Sequence, residues 1–187
     1  GDALAIGGNH LIHAARRNVD LTAIIMNNSI YGMTGGQYSP LTPTGKKATT
    51  AVYGTDSKPF DVVALARGAG ATFVARTTTY HVMEMIDIIK EAILHKGFSV
   101  VEIMSQCPTY YGRKNKIGGA VEIMESFQEK TVKLGSKKAK ASPELIERGV
   151  FVKENQPEYV ESYLALTKQL QKTTQKEISD RKGGHHG

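Results

Sequence analysis

The chain has 187 residues, 40% of them hydrophobic, which is the size of one domain with an appendage and enough apolar material for a packed core, so a disordered polymer is excluded. No apolar run reaches the roughly 18 residues of a membrane span, no charged-then-apolar leader opens the sequence, and a lone cysteine, Cys107, excludes an internal disulfide, so a cytoplasmic chain without a membrane partner is expected. The net charge of +6 sits late: residues 1–107 carry 9 basic and 8 acidic groups and residues 108–187 carry 15 and 10, interleaved as on a solvated helical surface, so a nucleic-acid partner is not expected.

In chain order, residues 3–18 carry small and apolar side chains with His10, His13, Arg16 and Arg17 at helical spacings, which predicts a helix. Residues 21–26 form an apolar run too short for a typical helix and predict a strand buried on both faces, ending at Asn27-Asn28. Residues 29–56 are rich in Gly, Thr, Pro and Ser without a sustained period, so a long loop is expected, of a length generally kept for function. The pattern then predicts a helix over 60–68, a strand over 72–76, a helix over 80–95 and a strand over 98–104.

This alternation predicts an α/β fold over residues 1–119, a doubly wound, mostly parallel sheet with helices on both faces. Ligands of such sheets bind beyond the carboxyl ends of the strands, here Asn27-Asn28 and residues 105–107. Further on, a helix is expected over 120–134. Ser142-Pro143-Glu144-Leu145 reads as an N-cap with Pro at the first helical position, and another helix is expected over 157–171. Residues 120–180 thus read as a helical C-terminal extension and 181–187 as a frayed tail. A parallel sheet ordinarily opens with a strand, whereas here a helix follows Gly1-Asp2 at once; a domain cut between strand and helix and a natural domain beginning with a helix are both compatible with that spacing.

A glycine-led turn entering a helix offers free N–H groups and the positive end of the helix dipole to a diphosphate, which makes Gly1 and Asp2 candidates. An Asn side-chain oxygen and a loop carbonyl at the neighbouring strand end suit Mg²⁺, which takes a few protein oxygens together with phosphate. Each feature also has a plainer account. Asn27-Asn28 serve equally as turn residues, Cys107 as a small buried hydrophobe, and His10 and His13 as packed side chains. Arg113, Lys114 and Lys116 could meet a phosphate or an acidic partner, or form a solvated basic loop, and Gly35-Gly36 could simply permit positive φ.

Three blocks in order, GDALAIGGNHLIHAARRN, NNSIYGMTGGQYSPLTPTG and SQCPTYYGRKNK, resemble the beta subunit of the 2-oxoacid:ferredoxin oxidoreductases, most closely the 2-oxoglutarate type, with GD and NN matching the later part of the thiamine diphosphate motif. The resemblance covers residues 1–130. It implies a thiamine diphosphate-binding fold and oxidative decarboxylation of a 2-oxoacid to acyl-coenzyme A, with electrons passed to ferredoxin. It assigns Gly1, Asp2, Asn28, Ile30, Tyr31 and Gly32 to the cofactor, Asn28 and the Ile30 carbonyl to Mg²⁺, Met33, Thr34 and Gly35 to the substrate, and Cys107 to a 4Fe–4S cluster. The motif aspartate and three further cluster thiolates are not in this sequence, which implies an N-terminal part upstream and a chain inactive alone. The implied partner is an alpha subunit, within a hetero-oligomer, that brings the glutamate acting on the aminopyrimidine, so the resemblance assigns no catalytic acid or base to this chain. A branched-chain 2-oxoacid enzyme and a non-catalytic assembly subunit are the rival readings.

Overall fold

The computed structural model describes residues 3–183; Gly1 and Asp2, with the diphosphate contacts expected of them, lie outside the described residues, as do residues 184–187 of the tail. The elements in order are α1 (Gly8–Arg16), β1 (Leu21–Asn27), α2 (Val62–Gly68), β2 (Phe73–Thr78), α3 (Val82–Leu94), β3 (Phe98–Met104), a π-helical turn (Pro108–Gly112), α4 (Ala120–Lys130), β4 (Thr131–Lys133), α5 (Lys137–Ala141), β5 (Ile146–Lys153) and α6 (Tyr159–Gly183).

The five strands form one sheet in the order β1-β3-β2-β5-β4. The β1, β3 and β2 strands run parallel, as the apolar strand sequences led one to expect, with Ile25 opposite Glu102 and Glu102 opposite Arg76. Helices cover both faces. Leu11 and Ala15 of α1 and Val62, Val63 and Ala66 of α2 pack with Ile25, Val74, Phe98 and Val100 on one side. On the other side Ile88 and Ala92 of α3 pack with Phe73, Ala75, Val101 and Ile103. Interior β3 is buried on both faces, whereas β1, expected to be so too, is an edge strand among the described residues with only Ile25 buried, because it pairs on one side alone.

Three further expectations change in detail. The first helix begins at Gly8, with residues 3–7 in turns, so the opening residues do not enter a helix directly. The expected 120–134 helix stops at Lys130, because Thr131–Lys133 extends to pair in parallel with β5. The Ser142-Pro143 segment starts no helix. It turns into β5, where Val150 and Val152 favour extended backbone and Gly149 holds φ +134, and β5 pairs antiparallel with β2. A register shift at Val74/Ala75 leaves Phe151 between the paired Val150 and Val152, which lets Phe151 and Val152 both reach the α1/α2 face. The C-terminal extension, expected to be helical, therefore contributes two strands, β4 and β5, to the sheet of the first 119 residues before it ends in α6, which runs well past the expected residue 171. Among the described residues, no helix is long and apolar enough to cross a membrane.

Candidate functional site

The carboxyl ends of β1 and β3 lie side by side: Asn27 is opposite Met104, and the Ser105 N–H donates to the Asn27 carbonyl at 2.8 Å. Immediately after β1 the chain makes two overlapping Asx turns. Asn27 Oδ1 accepts from the Ser29 N–H at 3.0 Å, Asn28 Oδ1 accepts from the Ile30 N–H at 3.3 Å, and Ser29 between them takes φ 63, a left-handed conformation that the turns sustain. The turn is held from outside as well. The Thr42 hydroxyl, almost fully buried, donates to the Ser29 carbonyl at 2.7 Å and accepts from the Ser39 N–H at 2.8 Å.

A small pocket of about 30 Å³, room for one ion or water, is lined by Ala3 and Leu4 of the opening turn, by residues 25–30 and by residues 39–41. The opening turn and the asparagine pair are thus neighbours despite their separation in sequence, as a site shared between them requires. Hard divalent cations take oxygen ligands. The donor set fits: the Asn28 amide oxygen and the Ile30 carbonyl belong to one turn, and the Ile30 carbonyl accepts no hydrogen bond among the described residues.

Past Ile30 the chain forms a tight hairpin. The Tyr31 N–H donates to the Gln37 carbonyl and the Gly36 N–H to the Tyr31 carbonyl, both at 2.9 Å, and Thr34 and Gln37 bond each other twice across the tip. Gly36 has φ +84, and a Cβ there would stand 2.5 Å from the Tyr110 ring, so glycine is required both by the backbone and by the approach of the π-helical turn. Met33 is 100% exposed at the hairpin tip. Of the residues expected at the substrate, Met33, Thr34 and Gly35 are therefore on the tip and outside the pocket, and anything they touch must sit over the hairpin.

Cys107 follows β3, is buried and free, and packs with Ile30 and Ala48 beside Tyr110 and Tyr111. Gly32 joins the two halves of the site: a Cβ built on it would lie 3.8 Å from Asn28 Nδ2 and 4.0 Å from Cys107 Sγ. Burial pushes the Tyr111 phenol above its ordinary range, with a hydrogen bond to Ser29 working in the opposite direction. Among the described residues no three His, Cys, Asp or Glu groups converge as a metal site. A cluster at Cys107 would take a single thiolate from this chain. The residues that sequence reasoning missed are Thr42, Glu102 and Arg76. Their signal was present, a buried-strand carboxylate and a Thr in a loop, but their partners come from other elements.

The thiamine pyrophosphate enzyme family, through its C-terminal TPP binding domain, matches residues 1–103. The 2-oxoglutarate synthase subunit KorB of Methanothermobacter marburgensis is 51% identical over 154 residues, which are 82% of this chain and 54% of that protein. KorB of Methanocaldococcus jannaschii is 48% identical over 173 residues, 91% of this chain and 64% of that protein. A solved 2-oxoglutarate:ferredoxin oxidoreductase from Magnetococcus marinus, with 2-oxoglutarate, coenzyme A and succinyl-CoA bound, superposes with a TM-score of 0.76 at 28% identity, covering 100% of this chain and 61% of that one. The chain thus spans 54% and 64% of the two curated relatives. With a family match over more than half its length, the chain belongs to the thiamine pyrophosphate enzymes, and residues 1–103 fall in their C-terminal TPP-binding domain.

Proposed function

We propose that the chain is a beta-subunit polypeptide of a 2-oxoglutarate:ferredoxin oxidoreductase, which converts a 2-oxoacid and coenzyme A to acyl-coenzyme A and passes the electrons to ferredoxin in the cytoplasm. The observation that carries the reading is the turn after β1, which sets Asn28 and Ile30 in one pocket wall with the opening turn and, across Gly32, places Asn28 beside Cys107. In this reading Asn28 and Ile30 hold Mg²⁺ on the diphosphate, Gly1 and Asp2 offer their backbone to the diphosphate, and Tyr31 and Gly32 continue the cradle. Bound thiamine diphosphate supplies the nucleophilic carbon for decarboxylation. Cys107 gives one thiolate to a 4Fe–4S cluster, and its apolar surroundings keep water from that sulfur. Met33 and Thr34, exposed at the hairpin tip, and half-buried Gly35 beside them meet the substrate at the surface where an alpha subunit closes over it, and that subunit brings the group acting on the aminopyrimidine.

The test is made on the full chain with whatever subunits copurify. Calorimetry with thiamine diphosphate and Mg²⁺ is expected to show binding that Asn28→Ala weakens tenfold or more, a magnitude typical for loss of a metal ligand's environment. Reduction of a viologen dye is expected to require both 2-oxoglutarate and coenzyme A. Dye reduction with a branched-chain 2-oxoacid alone would transfer the assignment to the rival acyl group. Binding indifferent to Asn28→Ala would overturn the site.

A further inference from the structure

Glu102 is 3% exposed and stands on the α1/α2 face of β3, where its neighbours on the same face, Phe98 and Val100, belong to the apolar core. Both carboxylate oxygens are engaged. Oε2 accepts from Arg76 Nε at 2.6 Å, and Oε1 accepts from Asn27 Nδ2 at 2.7 Å. Arg76 in turn donates to Asp61 Oδ1 at 2.7 Å and lies 5.7 Å from the centre of the Phe151 ring. Asp61 caps α2 through the Val63 and Ala64 N–H groups. A single line of charge and hydrogen bonds therefore runs from the helix cap through β2 and β3 to the turn after β1. Burial works against the Arg76 charge, but Glu102 and Asp61 outweigh it and raise the guanidinium pKa further.

A buried ion pair is poor stabilisation, since apolar residues of similar volume often do as well or better. What this carboxylate does that a leucine could not is fix the orientation of Asn27. An ionised carboxylate accepts and cannot donate, so it draws the Asn27 amide nitrogen toward itself. That leaves Oδ1 on the other side, where it accepts from the Ser29 N–H; a flipped amide would set two donors against each other there. Ser29, Asn28 and Ile30 follow in the next three positions.

We propose that Glu102 is a positioning residue: through Asn27 it holds the turn in the form that presents the Asn28 oxygen and the Ile30 carbonyl to a divalent cation. This rests on the reading of that turn as the cation site. The test is Mn²⁺ affinity in the presence of thiamine diphosphate, followed by electron paramagnetic resonance of free Mn²⁺, on the full chain with its copurifying subunits, alongside thermal melting.

Glu102→Leu is expected to weaken Mn²⁺ binding by about 10- to 100-fold, the range for losing a group that orients a metal ligand. Arg76→Met combined with Glu102→Leu replaces the ion pair by apolar volume, and it is expected to melt near the parent while showing the same loss; it carries the test where Glu102→Leu alone does not fold. Asn27→Ala is expected to lose a similar factor and to gain no further loss when Glu102→Leu is added, because both act at one bond. An Arg76→Met, Glu102→Leu protein with parental Mn²⁺ affinity would overturn the proposal, as would losses that multiply in the Asn27 and Glu102 pair. Parental affinity in Asn28→Ala would instead remove the cation site itself, whatever the Glu102 variants do.

Discussion

Asparagines sit at both ends of the parallel strands, and they serve the molecule in opposite ways. At the end where the strands begin, Asn18 (φ 50) saturates its side chain with protein: Oδ1 accepts from the Phe98 N–H at 2.8 Å and the Thr72 hydroxyl at 2.9 Å, and Nδ2 lies near the Gln156 and Pro157 carbonyls. Its own carbonyl accepts from the Tyr159 N–H and so anchors the start of α6 to the sheet. At the end where the strands finish, Asn27 makes one bond through each side-chain atom, to Glu102 and to Ser29, whereas the Asn28 side chain makes only the long bond to Ile30 among the described residues. The contrast teaches that residue type does not mark the site. What marks it is oxygen left over after local structure has been satisfied, in a wall that other elements hold in place.

The largest effect that would sharpen this contrast belongs to the saturated end. Asn18→Ala leaves the Phe98 N–H and two carbonyls short of a partner, while the Thr72 hydroxyl keeps its bond to the His95 ring, and a loss of about 3 kcal/mol in urea unfolding is expected, since buried groups left unpaired cost more than the bonds they made. Thiamine diphosphate affinity of the folded fraction should be unchanged; a loss of affinity without a loss of stability would break the division of labour between the ends. Gly36→Ala acts at the other end. The added Cβ meets Tyr110 and requires a strained φ, so about 2 kcal/mol is expected to be lost in opening the hairpin. The measurement is hydrogen exchange at Tyr31 and Gly36, whose N–H groups close that hairpin, with the exchange of Val100 in β3 unaltered.

A smaller effect is expected with pH. His95, half-buried and 2.8 Å from the Thr72 hydroxyl, has its pKa lowered by burial and by Lys153, against the pull of Asp20 and Glu91. The unfolded chain therefore binds the proton more readily, so this contribution is complete above the ordinary imidazole value of about 6.5 and is lost as pH falls below it. Melting temperature is expected to be flat from neutral pH upward and to decline below it, and His95→Gln should flatten part of that slope. His81, lowered by burial and by Arg148 with Glu84 opposing, contributes in the same direction. A slope unchanged in His95→Gln would contradict the assignment.

Much of the fold could be read in the sequence because its strands are short apolar runs between polar breaks: β3 has the predicted bounds and β1 differs by one residue. The segment from residue 131 to 153 was not legible. Serine followed by proline is a good helix start in isolation, but pairing with β2 outweighs that local preference, and the alternation that would have signalled β5 is interrupted by Gly149 and the bulge at Phe151. At the site, Asn28, Gly32 and Cys107 could be named from their motifs and do come together. Glu102 could not be given a role, because Arg76 lies 26 positions away and Asn27 lies 75, and only the sheet register brings the three to one face. Asn18 failed for the same reason: its partners come from β3, the start of β2 and the segment before α6.

The central claim is that a divalent cation is held by the turn after β1, and anomalous diffraction from crystals grown with Mn²⁺ and thiamine diphosphate tests it most directly. The expected result is one strong peak at bonding distance, about 2.1–2.3 Å, from both Asn28 Oδ1 and the Ile30 carbonyl, with the diphosphate on the side of Ala3 and Leu4. A peak elsewhere, with the Asn28 oxygen still bonded only to the Ile30 N–H, would contradict it.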